Sequence, residues 1–432
     1  MKILLSAYSC EPGKGSERGV GWNVAKAVAK YHEVWVLTRP DEGKETIETE
    51  LACNPEPNLH FVYFNLPILG SMWKWGFGLM QLHYYLWQIQ AYFVARHLHQ
   101  QIGFDLAHHV TFVKYSRPSF LAFLPIPLLW GPVGGGEFAP KAFWQDFNLR
   151  NKIHEIVRLL ACWVFELDPF VRFTARRSAF VRATTQDTAS RIWKLGAKQV
   201  QVESESGLAG EDIARLAQFP ISADESVRFI SSGRLLHWKG FHLGLRAFAQ
   251  AQIPDAEYWI LGDGPERKRL QKLADDLGIS KQVKFWQNLP REEVLQKLSM
   301  GTALIHPSLH DSGGWVCLEA MAAGLPVICL DLGGPAVQVT NDTGFKVAAS
   351  TPEQAVRELS KAIARLAGDR DLQQRMGEAG RKRVREIFNW EAKGRDLANL
   401  YQEIVTQSQL EDLSLQSAAR ATFLSDRSSS HP

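Results

Sequence analysis

Short apolar runs alternate with longer amphipathic stretches along most of the chain, a rhythm that predicts β-strands separated by helices. In the first half the runs fall at 2–7, 33–38, 59–64, 105–110 and 126–130. A helical stretch rich in aromatics and arginine follows Pro140, and then a strand, helix and strand at 180–184, 186–195 and 199–203. The pattern lapses around 204–225 and restarts with strands near 227–232, 257–261, 282–286, 303–306, 326–330 and 344–347. Helical patterns close the chain at 352–367, 370–387 and about 390–406. Strands that alternate with helices argue for parallel sheets covered on both faces. The expected architecture is α/β, with two doubly wound, Rossmann-like domains facing a cleft and ligands at the carboxyl ends of their strands. The limits drawn are 1–205 for the first domain, 206–225 for a linker, 226–387 for the second domain and 388–406 for a closing helix. The polar residues 407–432 are expected to be a disordered tail.

One segment offers three readings. Trp75 to Ala95 carries no charge over 21 residues, long enough to cross a bilayer. On a helix, Gln81 with Gln88 and His83 with Gln90 make polar stripes on nearly opposite sides, which a spanning helix should not expose. A groove-lining or interfacial helix suits Trp73, Lys74, Trp75, Tyr84, Tyr85 and Trp87. A core helix of the first domain is the third reading.

Composition excludes little globally. Lys+Arg 49 against Asp+Glu 46 gives no field that points to nucleic acid. Locally, 57–104 holds no Asp or Glu, and 150–194 holds nine Lys/Arg against four acids. Both stretches suit a lipid, a lipid-linked glycan or an anionic membrane surface. The cysteines Cys10, Cys53, Cys162, Cys317 and Cys329 are scattered without a CxxC pair, and the start reads as a strand, so reduced thiols in a cytoplasmic protein are expected.

The chemistry concentrates in 306–327. A buried strand runs into a loop with two acids eight residues apart, Asp311 and Glu319, and Gly313-Gly314 opens a helix that ends at Gly324. Amides at a Gly-rich helix start favour a diphosphate. Glu319 can accept two ribose hydroxyls, and Asp311 can reach the sugar. Upstream, Ser231-Ser-Gly233-Arg234 and Lys239-Gly240 put two cations five residues apart after a strand, a clamp for a departing diphosphate that can replace a metal. Gly262-Asp263-Gly264-Pro265 permits close backbone approach at the next strand end.

These motifs, in this order and spacing, resemble the family-4 retaining glycosyltransferases (group 1 glycosyl transferases) of GT-B fold, most densely over 226–350. The resemblance implies a hexosyltransferase that takes its sugar from a nucleotide-sugar and needs neither cofactor nor metal. It implies that Gly15, Gly233, Arg234, Lys239, Gly264, Gly313, Gly314 and Glu319 bind the donor. Asp311, His109, Arg234 and Lys239 are the expected catalytic set; Glu17, Arg18, His109 and Gly135 are expected on the acceptor side. Two departures stand out: the first acid is Asp where the family usually has Glu, and Asp-Ser-Gly-Gly-Trp replaces its usual loop. Phe388-Asn-Trp390 resembles the segment that crosses back to the first domain. The expected acceptor is a lipid-linked glycan, polysaccharide or glycolipid in cell-envelope assembly, reached by peripheral contact with the inner face of the membrane. The rivals are an epimerase or sugar phosphorylase of the same fold, and a degenerate membrane-associated binding protein.

Overall fold

The computed structural model describes residues 1–66, 77–219, 226–287 and 289–428, with backbone alone at 77, 412 and 415–428. The apolar runs resolve into two sheets. The first contains β1 (Lys2–Ser6), β2 (Glu33–Thr38), β3 (Leu59–Tyr63), β4 (Leu106–His109), β5 (Leu128–Val133), β6 (Phe180–Ala183) and β7 (Val200–Val202) in the order β3-β2-β1-β4-β5-β6-β7. The second contains β8 (Arg228–Ser232), β9 (Glu257–Leu261), β10 (Val283–Trp286), β11 (Ala303–His306), β12 (Val327–Leu330) and β13 (Gly344–Val347) in the order β10-β9-β8-β11-β12-β13. Every ladder is parallel. Strands covered on both faces read as near-continuous apolar runs; β4, β11 and β12 are buried throughout, with His108, His109 and His306 the polar residues among them.

The helices that cover the sheets are α1 (Ser16–Ala29), α2 (Lys44–Cys53), α3 (Phe77–Ile102), α4 (Leu149–Glu166), α5 (Pro169–Arg177), α6 (Gln186–Leu195), α7 (Gly210–Gln218) and α8 (Phe241–Ala251). They continue with α9 (Arg267–Asp276), α10 (Arg291–Ser299), α11 (Trp315–Ala323), α12 (Gly333–Gln338), α13 (Pro352–Gly368), α14 (Arg370–Ile387) and α15 (Trp390–Ser428). Strand order reverses between β1 and β4 and between β8 and β11. The loops after those four strands therefore border the ligand crevice of such sheets.

Three segments tie the sheets together. The chain crosses at 204–209 and returns at Phe388–Trp390, where Leu208 N donates to Phe388 O at 2.8 Å and Trp390 N donates to Leu208 O at 3.1 Å. From there α15 lies on α1, with Leu397, Tyr401 and Ile404 in the first core. The third tie was not legible in the sequence: Ala139, Phe143 and Phe147, which precede β6, pack into the second core beside Phe229, Leu235 and Phe241.

Three expectations change. The stretch assigned to a linker contains α7, because Ile213 and Leu216, three apart on one face, bury against Leu318 and Met321 of α11; residues 220–225 lie outside the described part. The expected disordered tail is helical through Ser428, for between Gly394 and Pro432 the sequence has no Gly or Pro to stop α15; 429–432 are outside the description. The uncharged segment gives a core helix: Tyr84, Trp87, Ala91 and Ala95 recur at helical spacing and pack with Leu4 and Tyr8. Trp73, Lys74 and Trp75 fall outside the described residues. Among those described, no helix is long and apolar enough to cross a membrane.

Candidate active site

At the end of β8 the chain turns at Gly233, whose φ of 145° excludes most side chains. Arg234 follows and is exposed, while Leu235 behind it is fully buried. The carbonyl of Leu235 packs on Gly264, where a Cβ would stand 2.5 Å away, so the Gly262–Gly264 turn backs the Arg234 loop. A single 3₁₀ turn, His237–Lys239, then aims Lys239 at the loop that leaves β11.

That loop is organised by Asp311. Its Oδ2 pairs with the Lys239 ammonium and accepts from His306 Nε2 at 3.1 Å, and its Oδ1 faces the amides of Gly313 and Gly314 at 3.3 Å each. Burial opposes ionisation here, yet the His306 hydrogen bond and the Lys239 charge hold the carboxyl well below the usual carboxylate range. Gly314, at φ 56°, opens α11. Asp311 is thus engaged by Lys239 and His306, and the two glycine amides expected for a diphosphate face this carboxylate.

Glu319 sits in the second turn of α11. Burial raises its pKa, opposed by Arg291, whose Nη2 lies 3.1 Å from Oε1. Gly15, before α1 in the first domain, stands beside the same arginine, 3.8 Å from Nη1 at the position of a Cβ. Arg291 therefore spans from α11 to the first-domain glycine loop. Nothing in its sequence context singled it out.

Across the cleft, Gly134 packs against Ser312. Gly135 covers the stem of Lys114, and Phe112 N donates to Glu17 Oε2 at 2.9 Å. Burial pushes the Glu17 pKa up, and burial with the Arg117 charge pulls that of Lys114 down. Arg18, expected on the acceptor side, pairs with Glu11 at 2.9 Å and Glu42 at 2.8 Å, both of which follow the carboxyl ends of strands β1 and β2. Alternating strand positions separate the two histidines of β4. His108 donates from Nε2 to Gly131 O at 2.5 Å and accepts from the Tyr401 hydroxyl at 2.6 Å, which locks α15 to the sheet. His109 is fully buried under α3, its Nε2 3.1 Å from Tyr84 Oη and 3.2 Å from Gln88 Nε2, so it orders that helix instead of lining the cleft. Burial lowers the pKa of each ring to about 3.

Sequence reasoning missed Glu205, on the crossing segment. Its Oε1 accepts from Ser312 Oγ at 3.0 Å, and burial followed by the Glu17 charge pushes its pKa up to about 8. It also missed a knot beneath the loop that carries Lys239. Glu155 of α4, fully buried, accepts from His237 Nε2 at 2.9 Å, with His310 Nε2 at 3.6 Å and Arg158 Nη1 at 3.7 Å. Trp238 stacks between His154 and His310. The ligand atoms of His154, Glu155 and His237 lie within 4.8 Å of one another, the spacing of a metal set, but Arg158 already supplies this carboxylate with a counter-charge.

Residues 214–383 match the family model described as glycosyl transferases group 1. Among curated proteins the chain is similar to the lipopolysaccharide core biosynthesis glycosyltransferases LpsE and LpsD of Rhizobium meliloti (strain 1021). It is 32% identical to LpsE over 50% of this chain and 62% of that protein, and 30% identical to LpsD over 48% and 59%. The chain thus spans about three-fifths of the length of these relatives. Among solved structures it resembles sucrose-phosphate synthase from Thermosynechococcus elongatus, with a TM-score of 0.60 and 18% identity over 94% of this chain and 99% of that one. It also resembles Anabaena HepE in complex with UDP, with a TM-score of 0.57 and 19% identity over 93% and 100%. The fold is GT-B, two Rossmann-like domains across a cleft.

Proposed function

We propose that the chain, whose residues 214–383 match the model of the group 1 glycosyl transferases, is a retaining hexosyltransferase that uses a nucleotide-sugar donor and no metal. The observation that carries this reading is the ion pair of Lys239 and Asp311, which joins the loop after β8, where Arg234 also lies, to the loop after β11 that leads into α11 and Glu319. Glu319 holds the ribose. The bond from the anomeric carbon to phosphate breaks with its electron pair passing to the diphosphate, whose growing charge Arg234 and Lys239 take up. The acceptor hydroxyl attacks on the face the phosphate is leaving and gives its proton to that phosphate, so the anomeric configuration is kept. Asp311 is a positioning residue that fixes the Lys239 ammonium, and His109 positions the acceptor side through α3.

The acceptor we infer is a lipid-linked glycan, polysaccharide or glycolipid. The lipopolysaccharide relatives support this, as do the basic stretch 150–194 and the acid-free stretch 57–104. A lipid-borne acceptor of this kind would be reached by peripheral contact with a membrane from the cytoplasmic side. The test is incubation with UDP-, GDP- and ADP-hexoses and a membrane glycolipid extract, with NMR of the product anomer. Transfer with the donor's anomeric configuration is expected. An inverted product, an epimerised donor without acceptor, or intact donor throughout would each overturn the reading.

A further inference from the structure

The outer face of α4 is apolar and open. Leu149, Ile153, Ile156, Leu160, Trp163 and Leu167 recur every three to four residues along it, between 45% and 74% exposed. Exposed apolar surface continues past the helix end into Phe170 of α5, and the half-exposed Phe173 stacks on Phe123 with ring centroids 4.4 Å apart. Lone exposed apolar side chains are ordinary, but a contiguous stripe along a helix of about 27 Å marks an interface.

Charge identifies the partner. Every acid of α4 and α5 is engaged inward: Glu155 on His237, Glu166 on Arg191 at 2.7 Å, and Asp168, at the start of α5, on the Phe170 amide and the Tyr85 hydroxyl. The cations Arg150, Arg172, Arg176 and Arg177 remain exposed beside the stripe. An apolar stripe flanked by arginines, on a helix too polar overall to span, fits the headgroup region of an anionic bilayer.

We propose that α4 and the start of α5 lie in the interface of an anionic membrane and hold the cleft over it, an inference that rests on the reading of the chain as a transferase to a lipid-borne acceptor. The inner side of α4 is built for this. Arg158 Nη2 donates to Glu137 O at 2.6 Å, next to the Gly134–Gly136 loop on the acceptor side. Glu155 grips His237, two residues before Lys239 on the donor side. One helix therefore touches both walls of the cleft and turns its apolar face outward, so an acceptor whose lipid stays in the bilayer is presented at the edge where its hydroxyl must enter.

The experiment is co-flotation of the full chain with vesicles of phosphatidylcholine alone or mixed with phosphatidylglycerol, at low salt. Light scattering and nucleotide-sugar thermal shifts are run on the same samples. The wild type is expected to float with the anionic vesicles only. The double variant Leu160→Glu/Trp163→Glu should lose at least about tenfold of that binding while keeping its melting temperature and donor shift. A wild type that stays with neither vesicle, a double variant that binds as well as wild type, or a wild-type dimer that the variant breaks without any vesicle binding would each overturn the proposal. In all three cases an intact donor shift leaves the transferase reading standing, since that reading fails on the donor and product assays alone.

Discussion

Lys239 and Asp311 form an ion pair that joins the turn after β8 to the loop after β11, across the point where the strand order of the second sheet reverses. The pair pre-sets the position of a cation in the crevice where such sheets bind ligands. His306, buried, steadies the same carboxylate from the strand end.

Removing either partner should separate chemistry from folding. Lys239→Ala is expected to lower donor turnover by at least about tenfold through lost stabilisation of the leaving diphosphate. Asp311→Asn should fall in the same direction by a smaller factor, because the ammonium is freed rather than deleted. Steady-state kinetics with a fixed acceptor separate the two, and equal turnover in wild type and both variants would remove these residues from the site.

Glu319 gives a pH signature. Burial raises its pKa, with Arg291 opposing, so the carboxylate proposed to accept the ribose hydroxyls is lost at a higher pH than an ordinary glutamate. Donor kcat/KM should decline as pH falls through that raised value. Glu319→Gln should flatten this acid limb and raise KM by about tenfold or more, a change readable from a pH series of donor saturation curves.

The buried histidines of β4 bear on stability. Each has a folded pKa of about 3 against an unfolded value near 6.5. Above pH 6.5 both states are neutral at these rings. As pH falls from there towards 3 the unfolded state takes up protons first, and each ring removes about 1.4 kcal/mol of stability per pH unit. Glu205, pushed up to about 8, works in the opposite sense. The check is therefore the difference in slope of urea unfolding free energy between pH 6 and 5 for wild type and His109→Gln, the variant being expected to fall less steeply.

Glu155→Ala leaves His237, His310 and Arg158 without their shared carboxylate. Loss of one partner of a buried ionic cluster costs about 3 kcal/mol, so urea unfolding should show a loss of that order. If stability is unchanged, the knot does not hold α4 to the donor loop.

The sequence patterns that proved legible are those set by local physics. Parallel strands buried on both faces, such as Val327–Leu330, are apolar along their length and stand out as runs. Lys239, Asp311 and Glu319 stood out as candidates because strand ends, glycines and helix starts lie close to them in the chain. What was hidden depends on distance along the chain. Phe143 and Phe147 read as part of the first half, yet their partners Phe229 and Leu235 lie beyond the crossing. Arg291 and Glu205 are ordinary surface letters until folding sets them against Glu319 and Ser312. His108 and His109 are neighbours that alternate across a strand, and only the packing of Tyr401 and Tyr84 tells them apart.

The central claim is that Lys239 and Glu319 hold a nucleotide-sugar. Its most direct test is the thermal shift produced by UDP-, GDP- and ADP-sugars in the wild type, Lys239→Ala and Glu319→Ala. A donor at a hundred times its Kd should stabilise the wild type by about 2.7 kcal/mol, and both variants should lose most of that shift while melting normally without donor. An equal shift in all three proteins, or none with any donor in the wild type, would contradict the account.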